Sequence, residues 1–333
     1  MARTALVTGS AGFIGYFTAR ALLAAGWKVV GLDAMTDYYD VGLKERRRAM
    51  LRQSAGYSDV EARLETPGTL HRLFDQHRFD TVIHLAAQAG VRYSIDNPRS
   101  YVEANLVGTF ELLEAARAFP PGHMLLASTS SAYGANTTMP YVETQRADHQ
   151  MSFYAATKKA TENMAHSYAH LYDMPITMFR FFTVYGPWGR PDMAHFKFTR
   201  AILKGEPIDV YNHGNMQRDF TYIDDLVAAI LALIDVVPGN TPVEGDSLST
   251  VAPHRVVNIG NGAPVPLMAF IAAIERACNK PSIKTYHDMQ PGDVPATWAD
   301  ATLLETLTGK RPATPIQDGI DAFVTWYRDY YGA

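Results

Sequence analysis

TALVTGSAGFIG, residues 4–15, runs from an apolar β-branched stretch into a glycine-rich turn and then into a helical pattern. Ala5-Leu6-Val7-Thr8 predicts a strand, and Phe13 to Ala25 predicts a helix closed by Gly26. Gly9, Gly12 and Gly15 fall between the two, with Phe13 and Ile14 at the helix entry. Glycines there allow a tight turn and let the backbone approach a pyrophosphate, while the helix N-terminus offers free N–H donors. The spacing G-x-x-G-x-x-G is one residue longer than the usual dinucleotide fingerprint. A turn closed by glycine with no ligand is the competing reading. Lys28 to Leu32 predicts the next strand, and it ends at Asp33. An acid about 20 residues on hydrogen-bonds ribose hydroxyls. It also repels a 2′-phosphate, so the pair favours NAD over NADP.

Outward from this unit the alternation continues. Thr81–His84, Met124–Ala127 and Ile176–Phe181 read as further strands, each of the first two followed by a helical pattern. The expectation is an α/β fold with a doubly wound parallel sheet. From Thr183 the pattern changes, with more Pro, Gly and aromatic residues and shorter strands. The helix Ile223–Ile234 and the strand Arg255–Asn258 still look like the first half. Residues 1–182 are therefore expected to form the nucleotide half, with segments near 223–258 returning to it. Residues 183–333 form a smaller, interleaved substrate domain, and 239–253 reads as a surface loop.

Composition narrows the class. The 333 residues are 47% hydrophobic and 19% charged, which fits a globular protein with a sizeable core. A net charge of -4 gives no basic signature for nucleic acid. The single cysteine, Cys278, excludes an internal disulfide and a Cys-based zinc site, and its apolar neighbours predict a buried thiol. No signal peptide follows the first Met, and the longest apolar stretch, Leu226–Ile234, is too short to span a bilayer. A cytoplasmic enzyme with no resident metal and no membrane contact is the expectation. Lys44-Glu45-Arg46-Arg47-Arg48 is the one basic cluster, read as a solvated helix face rather than a phosphate site.

Tyr154 and Lys158 stand four residues apart on a predicted helix and so share one face. A nearby ammonium would lower the phenol's pKa and make Tyr154 a general base, with Lys158 beside the cofactor. Alone, the pair is common on helix surfaces. One strand earlier, Met124–Ala127 leads into four hydroxyls, Ser128-Thr129-Ser130-Ser131.

The glycine turn, Asp33, strand-end hydroxyls and Tyr154-x-x-x-Lys158 together resemble the extended short-chain dehydrogenase/reductase family, a Rossmann fold. GLDAMTDYYDVGLKERR, HLAAQAGVRYSIDNPRSYVEANLVGT, YAATKKATE, RFFTVYGPWGRPDMAHFKFTRAI, DVYNHGNMQRDFTYIDD and QPGDVPATWAD are similar to its UDP-glucuronate 4-epimerase branch. With the glycine turn and the closing FVTWYRDYY, the likeness covers almost the whole chain. It implies NAD as a retained cofactor and a UDP-sugar as substrate. Thr129, Tyr154 and Lys158 would be catalytic. NAD would meet Gly9, Gly12, Phe13, Ile14, Gly15, Asp33, Arg63, Leu64, Ala86, Asn105, Tyr154 and Lys158. An Asp usually stands near position 63 to bind the adenine amino group, and Arg63 cannot accept that bond. Arg218 would hold the diphosphate and Arg190 lie near diphosphate and sugar. Tyr211 and Phe198 would frame the uracil, Asp293 would meet the uridine ribose, and Arg92 would face the substrate.

The hydroxyls separate this chain from its chemical relatives. Sister dehydratases carry an Asp-Glu pair after the catalytic Thr, and decarboxylases a Glu. Ser130 and Ser131 replace them and serve neither as acid nor as base at neutral pH. Thr183 stands where UDP-galactose 4-epimerases have an Asn, and leaves room for a carboxylate. The expectation is that Ser130, Ser131 and Thr183 hold the uronate carboxylate out of line with a C4 ketone. Decarboxylation is then slow. A 4-epimerase of neutral UDP-hexoses, a UDP-glucuronate decarboxylase and a non-catalytic NAD sensor stay open as alternatives. The helices predicted at Ser100–Phe119 and Ser152–Tyr172 carry apolar positions that would pair across a homodimer in this family. His84 and His195 read as packed or surface histidines.

Overall fold

The chain begins as the opening stretch predicts. In a computed structural model that describes residues 2–239, 241–290 and 294–333, β1 (Thr4–Thr8) passes through the glycine turn into α1 (Phe13–Ala24). β2 (Lys28–Asp33), α2 (Val41–Leu51), β3 (Tyr57–Glu61), α3 (Thr69–His77) and β4 (Thr81–His84) follow in strict alternation. Two short helices, α4 (Tyr93–Asp96) and α5 (Pro98–Tyr101), lead through a π-helical segment, Val102–Val107, into α6 (Gly108–Ala118). β5 (His123–Thr129) ends in a 3-10 turn at Ser130–Tyr133, and α7 (Phe153–Tyr172) precedes β6 (Ile176–Phe181).

Beyond β6 most strands are short, two to four residues, and two have six. The elements are β7 (Thr183–Tyr185), α8 (Ala194–Lys204), β8 (Pro207–Val210), β9 (Gln217–Tyr222), α9 (Ile223–Ile234) and β10 (His254–Ile259). After these come β11 (Pro264–Pro266), α10 (Leu267–Cys278), β12 (Ile283–Tyr286), β13 (Ala296–Thr297), α11 (Thr302–Thr308) and α12 (Ile316–Tyr331). β10 returns to the large sheet, whose order is β10-β6-β5-β4-β1-β2-β3, with every neighbouring pair parallel. A sheet buried on both faces needs near-continuous apolar strands. β5 meets this: every residue from His123 to Thr129 is buried. α1 and α9 cover one face, and α3, α6 and α7 cover the other.

The smaller sheets, β11-β9-β13 with β7 on β9, and β12-β8, pack on a third core. Tyr185, Phe196, Phe220, Phe270 and Phe323 fill it, and Cys278 is buried there, 3% exposed. Leu43 of α2 also enters this core, so the helix between β2 and β3 of the large sheet reaches the core of the small sheets.

One sequence expectation is corrected here. α2 does not present 44–48 to solvent. Glu45 and Arg46 are exposed, but Lys44, Arg47 and Arg48 are buried. Arg48 pairs with Asp59 at 2.8 Å and Glu61 at 2.6 Å on β3. Lys44 donates to the carbonyl and hydroxyl of Thr36 at 2.7 and 3.0 Å. Partners from other elements make burial possible, and hydropathy along one helix does not see them.

Candidate active site

The glycine turn forms a cradle that only glycine permits. Gly9 has φ +73, and a Cβ there would lie 2.9 Å from the Ala86 nitrogen. A Cβ on Gly15 would lie 2.0 Å from the Gly9 carbonyl oxygen. Asp33, at the end of β2, accepts from the backbone N–H of Ala11 at 3.1 Å and of Met35 at 2.9 Å. Those bonds fix the carboxylate at the rim.

A cavity of about 300 Å³ opens from this cradle. Gly9, Gly12, Phe13, Ile14, Gly15, Asp33, Arg63, Leu64 and Ala86 line it, and so do Thr129, Tyr154, Lys158 and Arg190. The site therefore assembles from the ends of β1, β2, β4 and β5, the carboxyl edge where open α/β sheets bind ligands. Asn105 does not line the cavity. It accepts from the Gln88 N–H at 2.8 Å and donates to the Gln88 carbonyl and the Thr157 hydroxyl, at 3.2 and 3.0 Å. The π-helical segment that contains Asn105 is the kind of helix irregularity found at functional sites. Arg63 points its guanidinium at Glu65, 2.6 Å away, with its side chain 60% exposed.

Thr129, 8% exposed, ends β5, and its hydroxyl accepts from the Ser131 N–H at 3.2 Å. It also hydrogen-bonds Tyr154 from the neighbouring helix, which Ser152 caps by accepting from Ala155 at 3.1 Å. The electrostatics differ from the sequence expectation. Burial raises the Tyr154 phenol above its ordinary value, and the opposing influences are the Thr129 bond and the charge of Arg190, not Lys158. Lys158, 3% exposed, is the group that moves down, to about 8, by burial, with Glu162 holding it partly up. Glu162 itself binds Arg180 at 2.9 and 2.7 Å and accepts from Ser128 at 2.6 Å, a buried brace under the end of β5.

A second cavity, of about 250 Å³, adjoins the first and shares Met193 with it. Arg92, Thr183, Phe198, Tyr211 and Arg218 line it. The Arg92 guanidinium lies 5.0 Å from the Tyr211 ring centre. Arg218 donates to the backbone carbonyls of Gln217 and Pro295 at 2.8 and 3.2 Å. Ser130 and Ser131 are half-buried and line neither cavity. Asp293 lies outside the described residues. His84 and His195 are packed: burial holds both rings neutral, each pushed down to about 3. Among the described residues no acidic, His or Cys cluster could hold a metal ion.

Sequence reasoning missed Tyr38, Tyr39 and Lys44, which also line the first cavity. The two tyrosines sit inside the DYYD run, where adjacent aromatics beside a predicted cofactor strand were the available signal.

A cavity with this floor and these walls is that of an enzyme that oxidises an alcohol beside a bound dinucleotide. The chain belongs to the NAD dependent epimerase/dehydratase family, which matches residues 5–260. It is 55% identical to a probable UDP-glucuronate 4-epimerase of Rhizobium meliloti, over 98% of this chain and 97% of that one. It is 46% identical to UDP-glucuronate 4-epimerase 4 of Arabidopsis thaliana, over 98% of this chain and 76% of the relative. Its fold matches a crystal structure of Bacillus cereus UDP-glucuronic acid 4-epimerase in complex with UDP-glucuronic acid and NAD. The TM-score is 0.89 at 30% identity, covering 98% of this chain and all of the other.

Proposed function

We propose that this chain is an NAD-dependent 4-epimerase that interconverts UDP-glucuronate and UDP-galacturonate. The observation that carries the reading is the run Thr129-Ser130-Ser131: Thr129 and Tyr154 line the cofactor cavity, and the two positions after Thr129 hold hydroxyls in place of carboxylates. The glycine cradle and the Asp33 rim fit a dinucleotide without a 2′-phosphate. Bound NAD supplies a hydride acceptor and then a donor at the sugar's C4.

Tyr154 removes the proton from the sugar 4-hydroxyl and returns one after the 4-keto sugar has turned over. Thr129 hydrogen-bonds the same oxygen and orients it. Lys158 places a charge beside the Tyr154 phenol and holds the cofactor's ribose. Without an acid after Thr129, elimination across C5 and C6 has no catalyst. Ser130, Ser131 and Thr183 donate to the uronate carboxylate, each bond contributing roughly 1.5–3 kcal/mol. They hold the C5–C6 bond out of line with the ketone, so CO2 is retained. Arg218 holds the diphosphate and Arg190 lies near diphosphate and sugar, where bidentate bonds suit phosphate, while Arg92 faces the substrate. Phe198 and Tyr211 flank the uracil, and Asp293 binds the uridine ribose. Arg63, Leu64, Ala86 and Asn105 serve the adenosine and nicotinamide ends directly or through Gln88.

The same reading divides the chain into a nucleotide half, 1–182 with 223–258, and a substrate half made of the rest of 183–333. It makes the enzyme cytoplasmic and dimeric. No described helix is long and apolar enough to cross a membrane. α6 and α7 expose Phe110, Phe153 and Leu171, at 45, 41 and 63%, which supports a partner copy packed there.

The test is NMR of UDP-glucuronate incubated with the protein and no added NAD. UDP-galacturonate is the expected product. UDP-xylose or a 4-keto pentose would replace this reading with decarboxylation, and no change would leave only a binding protein.

A further inference from the structure

Arg47 lies on α2 with none of its surface exposed. Its guanidinium donates to three neutral acceptors: the Ala11 carbonyl at 2.8 Å, the Tyr39 hydroxyl at 3.0 Å and the Trp188 carbonyl at 2.8 Å. Its Nε is buried without a partner. Among the described residues no carboxylate lies within ion-pair distance of it. Arg48, the next residue and also buried, has both Asp59 and Glu61. A buried charge without a counter-charge is costly, so its retention calls for a reason.

The three acceptors supply one. Ala11 lies inside the glycine turn, between Gly9 and Gly12. Tyr39 lines the cofactor cavity. Trp188 has φ +61, a backbone region bulky residues rarely adopt, and stands two residues before Arg190, which lines the cavity from the far side. One cation thus braces the phosphate cradle and the strained loop opposite.

We infer that Arg47 is a positioning residue for the cofactor: its charge, one layer behind the glycine turn, is balanced by the diphosphate of the bound dinucleotide, while its fork holds that turn in register with the loop bearing Arg190. This rests on the dinucleotide reading of the turn and not on the identity of the sugar.

The test compares ADP with adenosine, which share base and ribose but not the diphosphate. Both are titrated by calorimetry, after retained NAD has been stripped and its absence checked by absorbance, into the full-length chain and into Arg47→Gln and Arg47→Lys. Loss of the charge weakens ADP about tenfold or more and leaves adenosine within about twofold. The Lys variant keeps the charge and keeps the ADP-to-adenosine preference within about threefold of wild type. Equal weakening of both ligands in Arg47→Gln would mean a structural brace only and would overturn the inference. Should Arg47→Gln fail to fold, Arg47→Lys decides: a retained preference supports the inference, and a lost one overturns it. Wild-type protein that binds neither ligand would overturn the dinucleotide reading and this inference with it.

Discussion

The Tyr38 hydroxyl donates to the Asp192 carboxylate at 3.2 Å, joining residues 154 positions apart across the mouth of the cofactor cavity. Asp192 also takes both arms of Arg190, at 3.0 and 2.6 Å. Burial, and then the Asp192 charge, push the Tyr38 phenol up to about 12, so it stays a donor at neutral pH. The loop after β2 and the stretch after β7 are clasped there. Removing this bond with Tyr38→Phe loosens the clasp by about 1 kcal/mol, the usual net contribution of a hydrogen bond. Release of bound NAD, followed by exchange against labelled NAD, should speed up about fivefold.

Tyr154→Phe keeps the ring and removes the proton carrier. Turnover of UDP-glucuronate should fall by about 10³, within the range for loss of a general base. NAD content after purification should stay near that of the parent, because the ring still packs edge-on against Tyr101 with centres 6.0 Å apart. An undiminished rate, read by NMR, would remove Tyr154 from the mechanism.

Thr183→Ala takes one donor from the proposed carboxylate clamp. The 4-keto sugar then samples the aligned geometry more often, and CO2 appears alongside epimer. Labelled substrate should release CO2 at least about ten times faster than with the parent, as loss of roughly 1.5 kcal/mol of restraint implies. Ser131→Ala tests the same clamp from the turn after β5, and its turnover should drop. Unchanged CO2 release in the first and unchanged turnover in the second would dissolve the clamp.

Glu143 gives a pH signature of stability. It is 6% exposed, and burial raises its carboxyl from 4.5 to about 7, although it accepts from the Asn258 N–H at 2.7 Å. The folded chain therefore holds a proton there that the unfolded chain has released between about pH 4.5 and 7. Its stabilising contribution is fully present below that window and is lost as pH rises through it, by about 3 kcal/mol at most. Thermal unfolding of Glu143→Gln should lack this decline, and the two Tm curves should differ in slope over the window.

Much of the nucleotide half was legible because its signals are local. β1, the glycine turn, α1 and Asp33 lie within thirty residues, and their spacing carries the chemistry. β6 and α9 also fall where hydrophobic patterning sets them. What was not legible depends on distant partners. Arg47 reads as surface in its own helix, yet its burial comes from Ala11 and Trp188, the second of them 141 positions away. The i, i+4, i+8 series Leu43, Arg47, Leu51 was a usable signal, since all three are buried. Tyr154 shows the same limit in electrostatics. Four-residue spacing puts Lys158 on its face, but the raised phenol and the lowered ammonium follow from desolvation, which no spacing encodes. The π-helical turn at Val102–Val107, which turns Asn105 toward Gln88, likewise has no signature in the apolar pattern around it.

The return of β10 to the edge of the large sheet sets an order of assembly. The hydrogen-bonding edge of β6 stays open until residues 254–259 arrive, more than seventy positions later. A nascent chain leaving the ribosome therefore carries an exposed, apolar strand edge for as long as that stretch takes to synthesise. Such edges invite pairing with the wrong chain. Synthesis that pauses between β6 and β10 should be the step at which this protein most needs a chaperone.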